Sequence, residues 1–184
     1  MIRTLVGAVG YRNLRDHSAA FDVIDRLSSQ DLDASVVVED TSYNPIALVQ
    51  WLQGEPEHDR FGQAIFVSAL ERGRPPGTVT PYRWDGVLPS DELVQQSVTE
   101  AVTGIIALHN TVVIAGYFRV LPPSVAIVEI EPIEHAFGAE LSAAVRQAIQ
   151  PACALIQRLA RQPGAIEALP TGPLPERPLL RAGW

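Results

Sequence analysis

No run of lysines or arginines occurs anywhere in the 184 residues, and the formal net charge is −7. A nucleic-acid binder needs a basic face that displaces counterions from phosphates. Docking on anionic lipid needs a polybasic segment. Both classes are excluded. Cysteine is nearly absent too: Cys153 alone permits neither an internal disulfide nor a multi-cysteine zinc site. Its neighbours Ala152, Ala154 and Leu155 are apolar and no base lies beside it, so it reads as a small buried hydrophobe, not a nucleophile. Long apolar runs are missing. The most apolar window, "AVTGIIALHNTVVIAGYF", is broken by His109, Asn110 and two threonines, whereas a spanning helix needs about 20 mostly apolar residues. The opening "MIRTLVGAVGY" is a short run broken by glycines, a strand and not a signal peptide. These absences imply a soluble, cytoplasmic protein. "GAVGYRN" lacks the glycine pattern that admits a pyrophosphate, and there is no "GxSxG" elbow.

What is present is an ordinary globular composition, 47% apolar and 19% charged. The length suits one well-buried domain. Strand-like runs "TLVGAV", "ASVVVED", "QAIFVSAL" and "SVAIVEIEP" alternate with helical spacing. Apolar positions 20, 21, 23, 24 and 27 predict a first helix, and "NPIALVQWLQ" a second with Pro45 in its first turn. "ERGRPPGTVTPYRW" predicts a turn and a hairpin arm. Ser90, followed by Asp91 and Glu92, predicts a capped helix with Val94, Val98, Ala101, Val102, Ile105 and Ile106 on one side. A last helix follows from 141 to 159, kinked at Pro151, which removes the bond to the carbonyl of Gln147. The order predicts an α/β fold in three layers: a mostly parallel, twisted sheet of about five strands with helices on both faces. It occupies residues 1–161. Residues 162–184, rich in proline, read as an extended tail.

Ligands in such sheets bind outside the carboxyl ends of the strands. The loops that matter are therefore Tyr11–His17, Glu39–Asn44, Ser68–Gly77 and Glu131–Gly138. They hold a short set of chemistry-bearing residues, each with a plainer alternative. Asp16 is a helix cap or a site acid. His17 is a solvated first-turn histidine or a ligand. Ser68 ends a buried strand, where bonding to backbone is the default. Asp40 bonds to neighbouring amides or faces the cleft. Arg72 and Arg74 are solvated or clamp a peptide carboxylate. His135, in the loop after the last strand and at the correct sheet edge, is an exposed loop histidine or faces the cleft. His109 reads as a helix terminus or connector. His58, in the charged run "EPEHDR", is surface.

Four segments in order carry a resemblance: "VGYRNLRDH", "VVVED", "SALERGRPPGT" and "IVEIEPIEHAFGAELSAAV". They resemble the hydrogenase maturation proteases, which share a glycine-rich strand end with an acid pair, an acidic second strand end, an "Asp-Ala" strand end leading to "PGT", and a final "LSPxV" stretch. That family removes a C-terminal extension from the large subunit of nickel–iron hydrogenases after nickel insertion, using a glutamate, an aspartate and a histidine on a divalent metal. The resemblance places His17 at the glutamate position, after a retained Asp16. It places Ser68 at the aspartate position, and Thr99 or His109 at the histidine position, while Asp40 matches a retained acid. It implies Asp16 and Asp40 as catalytic residues, and His17 and His109 as metal ligands. Ser68, Thr99, Arg74 and His135 are then the substrate contacts. The implied metal is nickel carried by the substrate, or zinc. The implied partner is a hydrogenase large-subunit precursor or another maturation protein. Because Ser68 removes an anionic ligand, the alternative is a non-catalytic assembly chaperone or partner-binding protein.

Overall fold

The computed structural model describes residues 2–174. Six strands form one sheet: β1 (Thr4–Ala8), β2 (Val36–Asp40), β3 (Gln63–Ala69), β4 (Val79–Trp84), β5 (Ser124–Ile130) and β6 (Thr171–Gly172). Their order is β2-β1-β3-β5-β4-β6. The run β2-β1-β3-β5 is parallel, β4 is antiparallel to β5, and β6 adds in parallel to β4. The central strands are continuous apolar runs because both sheet faces are covered. The direction of winding reverses between β1 and β3, so the crevice of the fold opens outside their carboxyl ends.

Alternation along the strands sorts the helices. Val6, Ala8, Ile65, Val67, Ala126 and Val128 point to one face, covered by α1 (Ala19–Ser28) and α5 (Ala143–Arg161). Leu5, Ala64, Phe66, Val125 and Ile127 point to the other, covered by α2 (Pro45–Gly54) and α4 (Leu108–Tyr117). The helix α3 (Asp91–Val102) packs beside α4, sharing the cluster of Ala101, Ile114 and Ala115. Fully buried chains such as Phe66, Ile65 and Ile127 each contribute about 1.5–3 kcal/mol. Local chemistry agrees with the expected starts. Asn44 Oδ1 accepts from the Ile46 amide with Pro45 at the first helical position. The α5 helix runs through Pro151, which sits on its exposed side, and Gln147, whose carbonyl Pro151 cannot bond, is an exposed residue as well.

Two expectations change. The helix expected to carry apolar residues as far as Ile106 stops at Val102, because Gly104 turns the chain at φ +88°. Val102 is thereby exposed, and Ser90 occupies the N-cap position without a side-chain cap bond. The expected tail also folds, as far as it is described. Ile166 is fully buried against the α1–α5 core, and Thr171–Gly172 pairs with β4. Residues 175–184 of that segment lie outside the described residues. Cys153 is buried as expected, and burial raises its thiol pKa. Among the described residues, no helix is long and apolar enough to cross a membrane.

Candidate metal centre at the carboxyl ends of the strands

The loop after β1 is bent tightly and then tied to the loop after β5. Asn13 and Arg15 take left-handed backbone, φ 62° and 45°, which costs about 1–2 kcal/mol in each non-glycine residue. Long-range bonds hold it there. The Arg15 amide donates to the Gly138 carbonyl at 2.9 Å, and the Gly138 amide to the Asn13 carbonyl at 2.8 Å. The Arg15 guanidinium pairs with Glu134. Asp16 completes the junction. It lies in the short 3-10 helix Arg15–Ser18 and is 0% exposed. Its Oδ2 accepts from the amides of Ile133 and Glu134, both at 3.0 Å, and its Oδ1 from that of Ser142 at 2.7 Å. Burial acts to raise its pKa, but the three amides and the Ser142 hydroxyl together hold it below the ordinary carboxylate value. Asp16 therefore fastens one loop to another; its two oxygens face backbone amides, not the crevice.

The next residue on each side of that junction is a histidine. The rings of His17 and His135 stand 4.6 Å apart, tilted by 47°. Glu71, from the loop after β3, brings Oε1 to 3.3 Å from His17 Nε2. The potential ligand atoms of His17, Glu71 and His135 all lie within 4.8 Å of one another. The His17 side chain is 21% exposed and Glu71 62%, so the cluster is open on one side. Burial, then the neighbouring His135, lowers the His17 pKa, while Glu71 opposes the shift. A neutral imidazole, the metal-binding form, is favoured there.

One residue before the end of β3, Ser68 is buried, with its hydroxyl donating to the Val9 carbonyl at 2.8 Å. Its register partner on β5 is Glu129, which is 0% exposed. Glu129 accepts from Arg74 at 2.9 Å, from Arg72 at 3.2 and 3.4 Å, and from the Tyr82 hydroxyl at 3.3 Å. Burial, then the Glu129 charge, pushes the Tyr82 phenol well above its ordinary value. Glu131, also buried, accepts the amides of Arg72 and Gly73. Two carboxylates thus pin the loop that carries Glu71, one through arginine side chains and one through backbone.

The structure brings together His17 and His135, but not every residue expected with them. His109 is the second residue of α4, in the helix layer on the face opposite α1 and α5, and is not in the converging group. Thr99 is exposed on α3 and donates to the Gln95 carbonyl. Asp40 is 42% exposed at the rim, accepting from the Ser42 amide and lying 3.6 Å from Arg12. Ser68 and Arg74 are spent on Val9 and Glu129. The sequence reading did not single out Glu71, Glu129, Glu131 or Tyr82. For Glu129 and Glu131 a signal exists: "VEIE" places acids two apart across a strand's carboxyl end.

No family model and no curated protein matches the sequence. Solved structures do match the fold. A hydrogenase 2 maturation peptidase from a Thaumarchaeota archaeon is 24% identical, with 85% of this chain and 97% of that one covered and a TM-score of 0.58. The hydrogenase maturating endopeptidase HybD from E. coli is 19% identical over 84% and 90%, with a TM-score of 0.62. The nickel–iron hydrogenase maturation protease HycI from Thermococcus kodakarensis is 14% identical over 87% and 93%, with a TM-score of 0.63. At these identities the likeness speaks to architecture, and the chain has the fold of the hydrogenase maturation peptidases.

Proposed function

We propose that this chain is a hydrogenase-maturation endopeptidase that acts on the C-terminal segment of a nickel–iron hydrogenase large-subunit precursor. The observation that carries the reading is the placement of His17. It follows β1, at the position to which the sequence resemblance assigns a metal-ligating glutamate, and its imidazole faces Glu71 and His135. Nickel enters as part of the substrate, and imidazole is a suitable donor for it. Asp16 and the Arg15–Glu134 pair keep the crevice wall in place. Asp40 and Arg12 form a charged rim. Tyr11, Ile133 and Phe137 expose apolar surface in the same loops, which suits an extended polypeptide better than a small polar molecule.

The test is to incubate a nickel-loaded large-subunit precursor with the protein and weigh the product by intact-mass spectrometry. Loss of one C-terminal fragment, absent with His17→Ala, is the expected outcome. A precursor that neither binds nor is shortened would overturn the reading, and one that binds stably but stays intact would make the protein a chaperone.

A further inference from the structure

We infer that His17, Glu71 and His135 form a divalent transition-metal site belonging to this chain itself, taking zinc or a neighbouring first-row ion without any precursor present. It stands whether or not the chain cleaves a precursor, because it rests on the geometry of these three residues. The position comes first. β1, β3 and β5 are consecutive parallel neighbours in the sheet, and each contributes one member from the loop at its carboxyl end. Two of those loops flank the reversal of winding, where open α/β sheets place their ligands.

Distance comes next. An ion bound tetrahedrally with bonds of about 2.0–2.1 Å has its ligand atoms about 3.4 Å apart. His17 Nε2 and Glu71 Oε1 are already 3.3 Å apart, and no pair in the trio exceeds 4.8 Å. Small side-chain rotations close the set. His17 Nε2 is buried and meets the Glu71 carboxylate across the cluster, so both potential ligand atoms face the place an ion would take. Two imidazoles and one carboxylate select zinc, nickel or cobalt over magnesium or calcium, which prefer all-oxygen shells. Three protein ligands leave one position open, as sites that exchange water or substrate require.

Rigidity completes the case. Residues 13–17 and 133–138 are joined by backbone bonds, the Arg15–Glu134 pair and the Asp16 carboxylate. Glu131 fixes the base of the Glu71 loop through the Arg72 and Gly73 amides. The backbones carrying all three ligands are therefore held before any ion arrives. The set differs from the one that the family resemblance implies. Ser68, Thr99 and His109 take no part, and the carboxylate comes from three residues farther along the β3 loop than Ser68.

The test uses the untagged full chain, stripped of metal and titrated with zinc by calorimetry and with cobalt(II) by visible absorption. One equivalent is expected to bind, with cobalt bands of tetrahedral or five-coordinate intensity. Glu71→Gln and His135→Ala, both at exposed positions, are expected to keep the wild-type circular dichroism and to lose about 100-fold or more in affinity. His109→Ala and His58→Ala are expected to bind as wild type does. Absence of binding by the wild type, binding indifferent to His135→Ala, or binding lost with His109→Ala would each overturn the assignment. Precursor processing is scored separately, so its failure leaves these outcomes readable.

Discussion

His17 and His135 face each other at 4.6 Å because Asp16, one residue before the first, holds the amide of Glu134, one residue before the second. A buried carboxylate thus sets the spacing of two imidazoles that it does not touch. Replacing it changes the loop, not the ligands. Asp16→Asn keeps the shape but puts an amide group among three backbone donors, leaving some of them unpaired. Charge-assisted hydrogen bonds are worth about 1.5–3 kcal/mol each, and they share one acceptor group here. A loss of about 3 kcal/mol in urea unfolding is expected. Hydrogen exchange at the amides of Ile133, Glu134 and Ser142 should accelerate first. Unchanged protection at all three would refute the fastening role.

Gly77 shows why a glycine stands in "PGT". Its φ is +78°, and a Cβ there would lie 2.5 Å from the Ala144 carbonyl oxygen in the first turn of α5. Gly73 has a similar φ of +72° but open space around it. Gly73→Ala should therefore cost only the backbone penalty, about 1 kcal/mol. Gly77→Ala should cost about 2 kcal/mol more, since neither backbone can move freely. Thermal melts of the two variants side by side decide it; equal losses would mean that the α5 contact is soft.

The strands were legible because buried parallel strands are continuous apolar runs with turn residues at their ends. The crevice was legible too, since strand–helix alternation fixes which sheet edge is open, and with it the loop that carries His135. Two things were not. The break between α3 and α4 depends on Gly104, one residue within an otherwise helical spacing, and with it went the placement of His109. The grouping of His17 with His135 and Glu71 depends on Asp16 reaching amides far along the chain, which no local spacing records. Glu71 itself sits in "ERGR", a charge pattern that looks like any solvated loop.

Tyr82 supplies a pH dependence. Its phenol is held neutral in the folded state by burial and by the adjacent Glu129 charge, so its folded pKa lies above the unfolded one, about 10. A raised folded pKa contributes stability that is complete below the unfolded value. It is lost as pH rises past 10 toward the folded pKa, because the unfolded chain releases a proton that the folded chain keeps. Wild type should lose more stability than Tyr82→Phe between pH 8 and 10.5, read as the shift in urea midpoint. Parallel losses in the two proteins would show that the phenol does not titrate with folding.

Ser68 and Glu129, partners in the β3–β5 register, explain why the acid expected at 68 cannot simply be put back. The Ser68 hydroxyl donates a hydrogen bond to the Val9 carbonyl, and Glu129 next to it already pairs with Arg72 and Arg74. An ionised aspartate at 68 would face a carbonyl oxygen on one side and a carboxylate on the other, at a buried position where solvent screens little. Ser68→Ala should cost about 1 kcal/mol, the value of one net hydrogen bond. Ser68→Asp should cost about 3 kcal/mol or more, as an unpaired buried charge does. Adding Glu129→Gln to Ser68→Asp leaves the two arginines available to the new acid, and it should recover at least about 1 kcal/mol of that loss as a coupling energy. The Val9 carbonyl still repels the acid, so recovery stays partial. Urea unfolding of the four proteins of this cycle measures each step. Additive losses would mean that positions 68 and 129 do not share one charge balance, and the carboxylate of this crevice would then owe nothing to the serine beside it.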